Sequence, residues 1–243
     1  MRTFGLIGYP LSHSFSQKYF ADKFSSFGLG DCEFRNFRIE NISDFSKIIS
    51  KNSNLEGLSV TIPYKEAVIP FLDELDQTAR SIGAVNCIKI KSQKKIGYNT
   101  DAFGFRQAIK PFLQSHHSKA LILGTGGASK AVAYVLKEIG IEYFFVSRKK
   151  NPTNLSYDEL NEQAIQNFPF IINTTPLGMF PEIETVPAIP YEAITEKHFL
   201  FDLIYNPAQT LFLKNGKEKG ALIQNGLTML KQQAEKSWEI WNS

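Results

Sequence analysis

Apolar residues along this chain gather into short runs, and between the runs lie stretches patterned for helices. In the first hundred residues the runs at 4–8, 34–39, 58–62 and 84–90 predict strands. Ser12-His13-Ser14-Phe15-Ser16 leads into a predicted helix that continues to about Phe27. Ile42, Phe45, Ile48 and Ile49 recur on one helical face, behind Asn41 or Ser43 as the cap. Pro63 ends the third strand, Tyr64-Lys65-Glu66 opens a short helix, and residues 92–95 form a polar turn. Strands and helices alternate throughout, which predicts an α/β fold.

The second half repeats this rhythm. A helix is predicted over 101–113, followed by a polar connector at 115–119. The apolar run 120–123 then enters Gly124-Thr125-Gly126-Gly127-Ala128-Ser129, and Ala131, Val132, Val135, Leu136 and Ile139 follow at helical spacing. Further strands are predicted at 142–147, 170–174, 198–204 and 221–224, with helices at 157–167, 210–219 and 227–241. Residues 176–190 carry four prolines and read as irregular. The expected architecture is two α/β domains: 1–101 with 226–243, and 102–225 as a Rossmann-type domain. The last helix is expected to return to the first domain, because the second already has a full set of strands and helices. Ligands in such sheets bind beyond the carboxyl ends of the strands, so a cleft between the domains is the expected site.

Composition narrows the function. A net charge of +3 over 243 residues is too small for a nucleic-acid binder. Cys32 and Cys87 are far apart, as expected for reduced residues of a cytoplasmic protein. The histidines lack metal-ligand spacing, so no metal is expected. No apolar run approaches membrane-spanning length, and the start reads as a strand rather than a signal peptide. A small-molecule partner is expected.

Several residue patterns carry chemistry. Strand, glycine turn and helix together form a phosphate-holding turn: Gly124 allows the turn, Gly126 lets backbone approach a pyrophosphate, and Gly127 and Ala128 open the helix. Ser129 replaces the usual third glycine and still allows close helix–strand packing. About twenty residues on, Ser147-Arg148-Lys149 offers cations rather than a carboxylate, which favours the 2′-phosphate of NADP over NAD. In the first half, Ser59 and Thr61 share one strand face and Lys65 lies just beyond it. Position alone leaves Lys65 either a solvated lysine or a desolvated proton carrier. Asp101 either caps the helix that follows or pairs with Lys65 across the cleft. Asn86 is a polar group in an apolar strand and needs a backbone or ligand partner. Ser14 and Ser16 either cap a helix or hold a small carboxylate at its start. On the last helix, Gly226, Met229 and Gln233 share a face that is either ligand-facing or an ordinary boundary, whereas Leu227, Leu230, Ala234, Trp238 and Trp241 read as core.

Taken jointly, these motifs resemble the shikimate dehydrogenase family nearly end to end. The resemblance rests on Ser12–Ser16, Ser59–Lys65, Ala84–Cys87, Tyr98–Asp101 and Gly124–Ser129. It continues through Ile172–Met179, Asp202–Pro207 and Asn225–Leu230. It implies NADP-dependent reversible reduction of 3-dehydroshikimate to shikimate, on the route to chorismate and aromatic amino acids. It implies Lys65 and Asp101 as the catalytic pair, and Ser14, Ser16, Ser59, Thr61, Asn86, Tyr205 and Gln233 around the substrate. By the same resemblance, Asn173, Thr174, Thr175, Ile204, Gly226 and Met229 lie along the cofactor. Two alternatives stay open: a quinate or shikimate enzyme using NAD, and a non-catalytic shikimate-binding relative. The expected assembly is a monomer or homodimer. Family members commonly have a glycine where this chain has Thr228, and commonly continue with another helix where this chain stops at Ser243.

Overall fold

The structure, a computed structural model, describes residues 1–11, 15–148 and 152–243. Its contacts divide the chain into two units, Met1–Thr100 with Ala234–Ser243, and Asp101–Gln233.

The first unit contains β1 (Arg2–Gly8), α1 (Phe15–Ser26), β2 (Cys32–Arg38), α2 (Phe45–Lys51), β3 (Leu55–Val60), β4 (Glu74–Leu75), α3 (Gln77–Ile82), β5 (Cys87–Lys91) and β6 (Lys94–Tyr98). The strands form one sheet in the order β2-β1-β3-β5-β6-β4. β1 runs parallel to β2 and β3, while β5 is antiparallel to β3 and β6. Side-chain alternation along β1 sorts the core. Phe4 and Leu6 face a cluster with Phe20, Phe24, Phe34 and Trp241, whereas Ile7 faces one with Phe45, Leu58, Val60 and Ile88.

The second unit begins with α4 (Thr100–Ile109, whose first residue clusters with the first unit). It continues through β7 (Lys119–Leu123), α5 (Gly127–Glu138), β8 (Glu142–Ser147), β9 (Asn154–Ser156), α6 (Glu162–Asn167), β10 (Phe170–Asn173), β11 (Phe199–Asp202), α7 (Leu211–Glu218), β12 (Leu222–Gln224) and the first half of α8 (Leu227–Trp241). The sheet order is β12-β11-β10-β7-β8-β9, with every pairing parallel. This is the doubly wound dinucleotide-binding topology, with its strand-order reversal between β7 and β10. Both faces are covered. Leu121, Leu123, Ile171 and Leu200 pack into one cluster, and Phe170, Phe199 and Phe201 stack around Phe105 of α4 on the other face. Strands buried on both sides read as continuous apolar runs, which is how the sequence presents them.

Several boundaries differ from expectation. The supposed polar turn at 92–95 is a hairpin: Ser92 and Gln93 take φ of 49° and 66°, and Lys94 opens β6 opposite Lys91. Positive φ at both central residues is what a two-residue hairpin turn requires. Residues 65–68 form turns rather than a helix, and a 3₁₀ turn follows at Ile69–Phe71. The helix after Asp101 stops at Ile109, because Pro111 disfavours helical backbone at Lys110. The single helix expected at 157–167 is broken: Ser156 and Glu159 box a 3₁₀ turn, and Asn161 caps α6 separately.

The unit division also departs from the expected domain limits. The first turns of α8 cluster with the second unit, and only Ala234–Ser243 joins the first. The cause is close packing on α4. A Cβ at Gly104 would lie 2.5 Å from the Met229 carbonyl oxygen and 3.1 Å from the Gln233 Cβ. The rest of α8 returns to the first unit, where Trp238 and Trp241 meet the ring of Phe4 at 5.2 and 5.1 Å.

Candidate functional site

The glycine turn lies at the carboxyl end of β7, beside the strand-order reversal. Gly124 has φ 109°, and a Cβ there would lie 2.7 Å from Thr174 Oγ1, so a side chain is excluded twice over. Its N–H donates to the Val146 carbonyl at 2.8 Å, tying the turn to β8. Gly126 is the N-cap of α5, with an extended backbone and no capping side chain. By contrast α3, α6 and α7 are capped by Asp76, Asn161 and Thr210. Space is open where a Cβ of Gly126 would project. The first amides of α5, Gly127 and Ala128 among them, are thus left without a capping side chain, and a phosphate fits that requirement. Ser129 is fully buried, and its hydroxyl donates to the Gly126 carbonyl at 2.5 Å. Its side chain braces the turn from within.

The neighbouring strand end is braced by polar groups. Asp202 is fully buried at the end of β11. Its Oδ1 accepts from the Ile204 amide at 3.0 Å and from Asn173 Nδ2 at 3.1 Å, and its Oδ2 accepts from Thr210 Oγ1 at 2.6 Å. Asn173 Oδ1 in turn accepts from the amide and hydroxyl of Thr175, at 3.0 and 2.6 Å. The Thr174 hydroxyl donates to the Leu123 carbonyl at 2.7 Å. Asn173, Ile204 and, through Asn173, Thr175 thus come together around one buried carboxylate, while Thr174 is tied to the end of β7. Sequence reading assigned no role to Asp202. The available signal was a carboxylate closing an otherwise apolar strand, Phe199-Leu200-Phe201-Asp202.

Burial pushes the Asp202 carboxyl up to about 6, and the hydrogen bonds from Thr210, Ile204 and Asn173 only partly oppose this. In the unfolded chain the same carboxyl titrates near ~4. The folded state therefore holds the extra proton, and stability falls as pH rises from about 4 to about 6. An Asp202→Asn variant carries no charge there. Urea midpoints measured across this window should fall for the wild type relative to the variant, by on the order of 2 kcal/mol in total. Parallel pH profiles would reject the assignment.

At the other side of the glycine turn, Ser147 ends β8, half-buried, and its hydroxyl accepts from Asn154 Nδ2 at 3.5 Å. Arg148 is exposed, with its charge felt by the half-buried phenol of Tyr157. Lys149 lies outside the described residues.

In the first unit, three segments converge at the carboxyl end of β3. Ser59 is buried within β3, opposite Leu6 and Cys87. The Thr61 amide donates to the Ile7 carbonyl at 3.0 Å, and the Val60 amide to the Asn86 carbonyl at 2.8 Å. The Val85 amide donates to the Lys65 carbonyl at 2.7 Å, so the turn carrying Lys65 is zipped onto the segment entering β5. Lys65 itself is half-buried. Asn86 precedes β5 and does not lie within it. Its amide group donates to Thr100 Oγ1 at 2.9 Å and accepts from the Thr100 amide at 2.6 Å. Thr100 Oγ1 also lies 3.0 Å from Ser237 Oγ on α8. Thr100 and Ser237 were not singled out by sequence reading, because neither stands out among many Ser and Thr residues. Ser16 is buried in the first turn of α1, and Ser14 lies outside the described residues. Asp101 is buried in the first turn of α4 in the second unit, where a negative charge complements the helix start.

The face of α8 expected to meet ligand is in part a packing face. A Cβ on Gly226 would collide with the backbone of Leu203, and the Gly226 amide donates to the Ile204 carbonyl at 3.0 Å. Met229 and Gln233 are buried, and Gln233 Nε2 donates to the Leu230 carbonyl at 3.0 Å. Tyr205 is half-buried, and burial raises its phenol. Among the described residues no helix is long and apolar enough to cross a membrane.

Comparison with known proteins agrees with this geometry. Residues 6–88 match the model of the shikimate dehydrogenase substrate binding domain. The chain is 37% identical to the shikimate dehydrogenase (NADP(+)) of Methanosphaera stadtmanae, covering 98% of this chain and 90% of that one. Among solved structures, the shikimate dehydrogenase of Aquifex aeolicus superposes with a TM-score of 0.89 at 34% identity, over 100% of this chain and 92% of that one. The Thermus thermophilus enzyme, solved with NADP(H) and shikimate, gives a TM-score of 0.88 at 29% identity, over 99% and 93%. Matched almost from end to end at these identities, the chain belongs to the shikimate dehydrogenase family.

Proposed function

We propose that this protein catalyses the reversible, NADPH-dependent reduction of 3-dehydroshikimate to shikimate, as a cytoplasmic enzyme of the shikimate pathway. One observation carries the reading: in a member of this family, the glycine turn beside the strand-order reversal leaves the start of α5 without a capping side chain. Gly124, Gly126, Gly127 and Ala128 would hold the pyrophosphate there, and Asn173, Thr174, Thr175, Ile204, Gly226 and Met229 would line the path to the nicotinamide. When bound, NADPH supplies a hydride.

The protein's own part is orientation and a proton. Ser14, Ser16, Ser59, Thr61, Asn86, Tyr205 and Gln233 would hold the substrate's carboxylate and hydroxyls. Negative charge grows on the ketone oxygen during reduction. The Lys65 ammonium stabilises that charge and then delivers its proton to the oxygen, while Asp101 orients the ammonium and a neighbouring substrate hydroxyl. Reversal uses the same groups, with Lys65 taking the hydroxyl proton.

The test is a spectrophotometric assay with shikimate and NADP⁺, with quinate and NAD⁺ as controls. Rapid formation of reduced cofactor only with shikimate and NADP⁺ is the expected result, and no turnover with that pair would overturn the reading. The Ser147-Arg148-Lys149 segment gives a second prediction. Arg148→Ala should raise the KM for NADPH by roughly 10-fold or more, since a charge-assisted phosphate contact is lost. The KM for NADH should change little. Equal losses for the two cofactors would remove Arg148 from the 2′-phosphate site.

A further inference from the structure

Asp202 closes β11 directly beside Asn173, which closes β10, and the two are register partners in the parallel pair. The Asp202 carboxylate is fully buried, and the three donors that reach it are neutral: the Ile204 amide, Asn173 Nδ2 and the Thr210 hydroxyl. Each donor comes from a different segment. Asn173 leads into the turn after β10, Ile204 lies in the turn after β11, and Thr210 caps α7. Two carboxylate oxygens therefore fix the spacing of three chain segments at the carboxyl end of the sheet.

The ties extend outward from those segments. The Asn173 side chain also donates to the Leu177 carbonyl at 3.3 Å, and the Leu203 amide donates to the Asn173 carbonyl at 3.0 Å. The Ile204 carbonyl accepts from the Gly226 amide, so the start of α8 is tied to the same turn. The glycine turn has an anchor of its own, the Gly124 amide on the Val146 carbonyl of β8, and the end of β8 is braced by Asn154. Neither of those contacts includes Asp202. A carboxylate buried among neutral donors is costly to the fold, because neutral hydrogen bonds only partly offset the burial of a charge. What it supplies is two acceptor-only oxygens on a short stem, able to hold two adjacent strand-end turns at once.

We propose that Asp202 is a positioning residue for the nicotinamide half of the cofactor, holding the turns after β10 and β11 at the spacing that lets Asn173, Thr175, Ile204 and the start of α8 receive it. This rests on the dinucleotide-binding reading above and adds to it a residue that acts through others. Calorimetric titrations without substrate would compare NADP⁺ with adenosine 2′,5′-bisphosphate, which lacks the nicotinamide half. Asp202→Ala removes both acceptors. It is expected to weaken NADP⁺ by roughly 10-fold or more and the bisphosphate by less than about 2-fold. Asp202→Asn keeps an acceptor for Ile204 and Asn173, and is expected to retain most of the NADP⁺ affinity. Thr210 lies outside the residues that would line the cofactor, so Thr210→Val tests the orientation of the carboxylate independently and decides the matter if Asp202→Ala fails to fold. It is expected to weaken NADP⁺ by about 3-fold or more with the bisphosphate unchanged, and Thr210→Ser to restore wild-type binding. A purely structural role would weaken the two nucleotides in parallel. That result would overturn the inference, as would unchanged NADP⁺ affinity in Asp202→Ala or Thr210→Val, or a loss in Asp202→Asn equal to that in Asp202→Ala. A wild-type protein that binds neither nucleotide would instead overturn the dinucleotide reading beneath it.

Discussion

Lys65→Ala is expected to cut turnover by about 10²-fold or more, with a smaller change in the KM for shikimate. The reasoning is local. Lys65 sits in a turn held by backbone hydrogen bonds, the Val85 amide to its own carbonyl at 2.7 Å and the Tyr64 amide to the Thr61 carbonyl at 2.9 Å. Removing the side chain leaves those bonds in place, so the turn and its neighbours Thr61 and Asn86 keep their positions. In the proposed reaction, what disappears is the ammonium that would stabilise the developing oxyanion and transfer its proton. Because that interaction is strongest in the transition state, the loss belongs in kcat rather than in substrate affinity. Steady-state kinetics in the direction of shikimate oxidation, with a thermal melt as the folding control, make the measurement. Near-normal kcat in a normally folded variant would reject the proton-transfer role.

Trp241→Ala is expected to destabilise the first unit by about 3–5 kcal/mol, the range for deleting a large aromatic from a packed core. Trp241 is only 4% exposed, although it lies two residues from the last one. Its ring stacks on Phe4 at 5.1 Å and tilts against Phe20 at 5.3 Å. Its indole N–H donates to the Ile88 carbonyl at 3.0 Å. A Cβ on Gly57 would lie 2.5 Å from the indole, so β3 leaves out a side chain to admit the ring. The variant loses the packing, opens a cavity among phenylalanines and removes the donor to a buried carbonyl. Chemical denaturation would show the loss as a lowered midpoint, whereas a shift worth under ~1 kcal/mol would mean that the end of α8 is dispensable to the core.

Near the middle of α8, a second set of contacts ties the helix to α1. Glu235 accepts hydrogen bonds from the Tyr19 phenol and from Lys23 Nζ, the latter at 2.6 Å. Burial alone would raise the Glu235 carboxyl, but these two donors outweigh it and hold the group below the usual range. The consequence is a fixed register between the returning helix and the helix whose first turn contains Ser16.

The legibility of the fold varied with the kind of signal. The parallel strands of the second unit were visible because strands covered on both faces leave unbroken apolar runs, as in Ala120–Leu123 and Phe170–Ile172. β6 was hidden because its opening lysines look like turn residues, and the turn itself uses Ser92 and Gln93 where glycine or asparagine is usual. β9 was hidden because a three-residue edge strand has no room for periodicity. In the site, the glycine turn was legible since its chemistry is local to consecutive residues. The stripe Gly226, Met229 and Gln233 was recognised as unusual, but helical spacing does not reveal that Gly104 of α4 packs against part of it.

By itself, then, the sequence determined the α/β class, the glycine turn between strand and helix, and the family, all of which depend on residue type and short spacing. Only the tertiary structure decided that Asn86 pairs with Thr100, that Asp202 gathers Asn173, Ile204 and Thr210, and that Trp241 donates to Ile88. The physical reason is the same in the longer-range cases. The partners are brought together by strand register and helix packing across sequence separations of 14, 29 and 153, and a buried polar group binds whichever partner the packing delivers.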